Sequence, residues 1–226
     1  MKRSEINTAI GIALEALENN KFALPPFGHW TPDEWKQNSS SSGRIKTNGL
    51  GWDITDFGSN DFANVGAVLF TLRNGNVKDP KNGTPYAEKI IIMAPGQCLP
   101  LHFHWVKTED IINRGGGPMV IQLYNALEDD SVDTKNNVEV YCDGCLKSVA
   151  PGGTLTIQPG ASITLTPRMY HKFWAAKDGD VLVCGEVSSV NDDVVDNRFA
   201  EKVSRFADIV EDAAPLRLLC NEYPDA

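Results

Sequence analysis

The sequence predicts an all-β fold, a barrel or sandwich of short strands with helical additions at both ends. Three features carry that expectation. From Trp52 onward, β-like apolar runs succeed one another at 65–72, 89–93, 119–124, 138–142, 154–157, 162–166 and 181–187. Glycine, proline and Asn/Asp clusters separate them, the punctuation expected of many short strands in one closed sheet system. Helical periodicity is confined to the ends of the chain. At 226 residues the chain is long enough for one barrel domain with a sizeable core and additions. We divide it into a helical N-terminal extension over 1–45, a β-barrel over 50–190 and a helical or irregular tail over 191–226.

Residues 4–19 read as an amphipathic helix. Ile6, Ala9, Ile10, Ala13, Leu14 and Leu17 fall on one helical face, and Ser4 is placed to cap it. Leu24-Pro-Pro-Phe27 breaks the chain. Thr31-Pro-Asp-Glu34 has the form of a capping box with proline at the first helical position, so a short helix should carry Trp35. The stretch 37–43, with four consecutive serines, is a loop. Further on, Asp143-Gly144 lies between two apolar runs and signals a tight hairpin. Cys142 and Cys145 therefore flank a turn and make no zinc site, since no second pair partners them. In the tail, Phe199, Val203 and Phe206 can share one face. We see no internal repeat.

Composition narrows the function. The net charge of −9 argues against nucleic acid or an anionic membrane surface as partner. No stretch approaches the roughly 20 apolar residues of a membrane span. Five cysteines, an odd number, with no secretion signal predict a cytoplasmic protein.

The chemistry concentrates in Gly96-Gln-Cys-Leu-Pro-Leu-His102-Phe-His104-Trp-Val-Lys-Thr-Glu109. On a strand, residues i and i+2 share a face. His102 and His104 can therefore aim both rings at one point while Phe103 points away. Glu109 lies an odd number of residues beyond His104, so a bend or bulge near 105–108 is needed to bring it round. Two nitrogens and an oxygen converging in this way suit a divalent ion. The plain alternative for an HxH pair is two buried, hydrogen-bonded histidines. His29 reads as a structural or surface histidine.

The spacing of glycine, His-x-His, Glu109 and Gly116 resembles the first signature of the cupin superfamily, whose members use those three residues as metal ligands in a small β-barrel. The resemblance implies a fourth ligand on a later strand, and His171 is the one downstream histidine. Its context, Gly153 to Gly160 and then Pro167-Arg-Met-Tyr-His171, matches the second signature more loosely, with Ala175 where an asparagine is expected.

Longer strings resemble the D-lyxose isomerase family over nearly the full length. They are Met1-Lys-Arg-Ser-Glu-Ile6, Leu24-Pro-Pro-Phe27, Trp30-Thr-Pro-Asp-Glu-Trp35, Lys89 ahead of the histidines, Gly185-Glu-Val-Ser188, Asn191-Asp-Asp193 and Asp196-Asn-Arg-Phe199. That resemblance implies a cupin-type jelly-roll barrel and a manganese-dependent ketol-isomerase interconverting D-lyxose with D-xylulose, and D-mannose with D-fructose. It also implies a cytoplasmic homodimer. Iron, cobalt, nickel and zinc suit the same ligands. An ion on His102, His104, Glu109 and His171 would polarise the sugar carbonyl and stabilise an enediolate, while a base moves the proton. Glu109 is one candidate base and Glu201 a second. Lys107 and Lys89 are candidates for binding sugar hydroxyls or, for Lys107, assisting proton transfer. Asp193 and Arg198 follow as substrate-binding candidates from the family string. Two other readings stay open: another cupin enzyme, either a phosphosugar isomerase or an iron-dependent dioxygenase, and a non-enzymatic sugar-binding cupin.

Overall fold

The computed structural model describes residues 1–190, 195–201, 203 and 208–224. Three helices come first: α1 (Arg3–Asn19), α2 (Pro32–Gln37) and α3 (Gly43–Thr47). The strands are β1 (Gly51–Thr55), β2 (Ala67–Arg73), β3 (Tyr86–Met93), β4 (His102–His104), β5 (Glu109–Gly115), β6 (Met119–Ala126), β7 (Val132–Asp133), β8 (Val138–Cys142), β9 (Cys145–Val149), β10 (Thr154–Ile157), β11 (Ser162–Leu165), β12 (Met169–Ala175), β13 (Leu182–Ser189) and β14 (Asn197–Phe199). Their pairings are antiparallel. One sheet runs β1-β2-β3-β13-β5-β11-β8-β9, and the other β10-β6-β12-β4-β14 with β7 beside β6. The all-β, cupin-type expectation is borne out.

Alternation along each strand decides what faces what. On β3, Ile91 and Met93 join the core between the sheets, whereas Ile90 and Ile92 belong to a second core on the outer face. The helix α1 closes that outer core with Ile6, Ile10, Ala13 and Leu17, packed with Trp52 and Ile54 of β1 and Phe70 of β2. The capping box before α2 forms as expected: Thr31 accepts from the Glu34 N–H, and Glu34 accepts from Thr31 at 2.7 Å. Trp35 is buried and stacks on Tyr223, which ties α2 to the C-terminal segment.

The hairpin at Asp143-Gly144 has positive φ at both residues (50° and 78°), the type I′ geometry that matches strand twist. Cys142 and Cys145 pair across it and are both free thiols. Gly116 follows β5 with φ of +76°, and a Cβ there would lie 1.9 Å from the Val181 carbonyl oxygen, so only glycine fits.

Two expectations change, and a third is made specific. Lys2, not Ser4, precedes the first turn of α1; its N–H is satisfied by Glu5 at 2.7 Å, while Ser4 donates to Asp212. Residues 197–199, expected to be helical or irregular, form strand β14 against β4. The cause is that β4 has only β12 on its other side, and an open edge would leave buried N–H and C=O groups unpaired. The bend expected over 105–108 is present, as a crossing between sheets and not a bulge within one strand. The chain leaves one sheet after His104 and enters the other at Glu109. Phe206, placed on the tail's apolar face, lies outside the described residues.

Candidate active site

The site is built by two facing sheets. β4 carries His102 and His104, and β12 places His171 directly beside His102 in register. All three histidines are buried, and each offers a ring nitrogen within 4.8 Å of the others. Phe103 points the other way, edge-on to Tyr170 and Trp105. From the opposite sheet β5 brings Glu109, whose Oε1 lies 3.2 Å from His104 Nε2 and 3.3 Å from His171 Nε2.

The donor set fits a divalent metal ion. His102 and His171 hydrogen-bond through Nδ1 to the carbonyl oxygens of Pro100 (2.8 Å) and Met169 (3.0 Å), which fixes each ring and leaves Nε2 as the lone-pair donor. His171 Nε2 is buried without a hydrogen-bond partner, as is His104 Nδ1. Such orphans are costly unless a ligand completes them. Burial, with His171 and His104 alongside, pushes His102 well below the ordinary imidazole range, so it is neutral as a ligand must be. Burial opposes charge on Glu109, but Lys107 and His104 outweigh it and hold the carboxylate ionised, well below its usual range.

A second layer of charge adjoins these ligands. Lys107 Nζ bridges Glu109 Oε2 at 2.6 Å and Glu186 Oε1 at 2.9 Å. Glu186 is also 3.4 Å from Lys89 Nζ and accepts from Ser188 Oγ at 3.2 Å. Lys89, Lys107, Glu109 and Glu186 are all buried, and two cations among two carboxylates make that burial tolerable. Register explains the grouping: on β13, Glu186 pairs with Lys89 of β3 and Ser188 with Glu109 of β5, so these side chains share the inner face. The crossing from β4 to β5 is pinned by Asp196. Its Oδ1 and Oδ2 accept from the Val106 and Lys107 N–H groups at 2.9 and 3.1 Å, and its carbonyl accepts from Trp105.

One cavity collects His102, His104, His171, Glu109, Glu186, Lys89 and Lys107, together with Asp53 and Asn197. Phe57, Leu69, Leu99, Phe173 and Phe199 line the rest of it. Phe199 stacks on His102 with ring centroids 5.2 Å apart, and Phe57 lies against Phe199.

Of the residues singled out from sequence, the structure brings together His102, His104, Glu109, His171, Lys107 and Lys89. Glu201 is exposed and lines a different surface cleft, beside Leu101 and Lys172. Arg198 is exposed and donates to the neighbouring Phe199 carbonyl. Asp193 lies outside the described residues. His29 is exposed, as expected of a surface histidine. Glu186 and Asp196 were missed. Both stand in strings quoted for the family resemblance, the signal that could have found them.

An antiparallel cupin-type barrel with three buried histidines and a carboxylate at its centre defines the class of protein. Comparison with known proteins then narrows it. The D-lyxose isomerase family model matches residues 1–223, and the chain belongs to that family, whose chemistry is aldose–ketose isomerisation. It is 46% identical over 225 residues to the D-lyxose/D-mannose isomerase of Serratia proteamaculans, covering 99% of this chain and 98% of the relative. It is 45% identical over 225 residues, at the same coverage, to the D-lyxose/D-mannose isomerase of Escherichia coli O157:H7. Among solved structures, Cellulomonas parahominis L-ribose isomerase with L-ribose aligns with a TM-score of 0.59 at 18% identity, covering 93% of this chain and 98% of that one, a likeness of fold.

Proposed function

We propose that this chain is a metal-dependent isomerase that interconverts D-lyxose with D-xylulose and D-mannose with D-fructose. The convergence of three buried histidines and Glu109 beside a Lys107–Glu186 pair carries the proposal. The relatives named for D-lyxose and D-mannose support the choice of sugars. Manganese is the expected ion, and the nitrogen and oxygen donors are compatible with it.

Aldose–ketose conversion moves one proton between C1 and C2 of the open-chain sugar. A divalent ion held by His102, His104, Glu109 and His171 would supply Lewis-acid polarisation of the sugar's carbonyl. Glu109 is engaged through both oxygens, by two imidazoles and by Lys107. Glu186 and Asp53 are the cavity carboxylates away from the histidines; Glu186 is the one held by Lys107, and we assign it the proton transfer at C1 and C2, in place of Glu201 or Glu109. Lys107, hydrogen-bonded to Glu186 at 2.9 Å, holds that carboxylate in place and supplies positive charge where an oxyanion develops. Lys89 binds sugar hydroxyls from the same inner face. The rings of Phe57, Phe173 and Phe199 keep bulk water from the exchanging proton.

We assign the protein a homodimeric state as well. The family resemblance supports it, and Val187, Tyr141 and Leu146 are exposed on the outer face of the sheet that holds β13, β5, β11, β8 and β9, with Asp110 and Thr164 lying between them in register. Light scattering on eluted protein checks it.

The test of function is ketose formation from D-lyxose and D-mannose by chelated protein, before and after manganese is restored. Turnover that disappears on chelation and returns with manganese is expected. Undiminished turnover in fully chelated protein overturns the metal dependence, and turnover of neither sugar overturns the substrates.

A further inference from the structure

Beside the catalytic cavity lies a second, wider cleft that shares three of its wall residues, Asp53, Leu69 and Lys89. Beyond that shared wall the cleft is lined by Asn48, Thr71 and Asn74, among others. We propose that this cleft is the subsite for the far end of the open-chain sugar, and that Thr71 and Asp53 set the preference between six-carbon and five-carbon substrates. The inference rests on the isomerase reading above and deepens it.

Strand register gives the argument its direction. Glu186 on β13 pairs with Lys89 on β3, Lys89 pairs with Thr71 on β2, and Thr71 pairs with Gly51 on β1. Residues paired across neighbouring strands point to the same face, so Glu186, Lys89 and Thr71 form one inward line. Asp53 is two residues from Gly51, on that same face. Each step to the next strand covers about 4.8 Å. A sugar whose C1 and C2 lie at Glu186 therefore has its chain directed over Lys89 towards Thr71 and Asp53. An extended six-carbon chain spans roughly one and a half such steps. Its last hydroxyl comes within reach of these side chains, while a pentose stops one carbon short.

The chemistry of the walls agrees. Thr71 and Asp53 are buried, and they offer a hydroxyl and a carboxylate. Asn48 and Asn74 line the same cleft. Such groups exchange hydrogen bonds with the neutral hydroxyls of a sugar. On its other flank Phe57 lines both the cavity and the neighbouring cleft and packs on Phe199.

The experiment compares kcat/KM for D-mannose with kcat/KM for D-lyxose in wild-type protein, Thr71→Val and Thr71→Ser. Valine keeps the shape of threonine and removes the hydroxyl, so the mannose-to-lyxose ratio should fall about tenfold, the effect of losing one hydrogen bond to a substrate hydroxyl. Serine keeps the hydroxyl and should hold the ratio within about twofold of wild type. Asp53→Asn should lower the ratio in the same direction, and it stands in for Thr71→Val if that variant does not fold. A ratio that stays put in Thr71→Val and Asp53→Asn, or a parallel fall for both sugars, overturns the subsite while leaving the isomerase intact. Wild-type protein that turns over neither sugar removes the isomerase reading and the subsite with it.

Discussion

The strands β1, β2, β3 and β13 present two faces that the protein treats in opposite ways. Outward they offer Trp52, Ile54, Val68, Phe70, Ile90, Ile92 and Val183 to the apolar stripe of α1. Inward, at one end, the same strands offer Asp53, Lys89 and Glu186. Hydrocarbon on the outer face is stabilised by burial itself, at roughly 25 cal/mol per Å². Charge on the inner face survives burial only because each group has a partner of opposite sign or a hydrogen bond. One face therefore holds the sheet in shape, and the other holds groups that water would otherwise solvate, poised for chemistry. The difference predicts that substitutions on the two faces separate cleanly into stability effects and activity effects.

The largest effect should come from the inner face. His104→Ala removes one of the nitrogens that would hold the ion and should abolish both stoichiometric metal, measured by elemental analysis, and isomerisation. A metal-replete His104→Ala protein with full activity would take this residue out of the site. Next comes Glu186→Gln, which keeps shape and hydrogen bonding and removes the proton acceptor. Metal content should hold while kcat falls by about 10²–10⁴-fold. An unchanged kcat would return the proton to Glu109.

The outer face should answer in the other currency. Ile10 is fully buried between α1 and the sheet. Ile10→Ala should cost about 2–5 kcal/mol of unfolding free energy, read by denaturant titration, with kcat on the folded protein close to wild type. A loss of activity larger than the loss of folded protein would show that the two faces are coupled through the strands.

How far the two faces were legible beforehand follows from the same contrast. The helix α1 and most outer-face strands announced themselves, since a stripe such as Ile6, Ile10, Ala13 and Leu17 is a periodic signal that needs no tertiary knowledge. The histidines were legible because His-x-His on a strand is local geometry, and Glu109 because it lies close by. What escaped was assembled over long separations. Glu186 meets Lys107 across 79 residues, and a single glutamate in an apolar strand carries no mark of its partner. The strand β12, which holds His171, shows no clean alternation, for Tyr170 and His171 are both buried, on opposite faces. The three-residue β14 exists because β4 has a free edge, a fact about the sheet and not about Asn197, Arg198 or Phe199. Glu201 follows two residues beyond the family string that ends at Phe199, yet it lines a different cleft.

Asp196 tests the contrast where the two regimes meet. Its carboxylate is buried, lies on neither face, and holds the N–H groups of Val106 and Lys107 at the point where the chain crosses between sheets. Removing it with Asp196→Ala leaves the buried Lys107 N–H and the part-buried Val106 N–H without acceptors, which should cost about 1–3 kcal/mol of stability. The turn it releases carries Lys107, so the ammonium that organises Glu109 and Glu186 should lose its fixed position. We therefore expect kcat to fall severalfold while metal content and KM for D-lyxose hold. Asp196→Asn, which keeps one acceptor oxygen for the turn, should recover part of the rate. If Asp196→Ala loses stability alone, with kcat per folded molecule unchanged, then the turn supports the fold without positioning Lys107. The polar side of the sheet would then be held from within, by its own ion pairs.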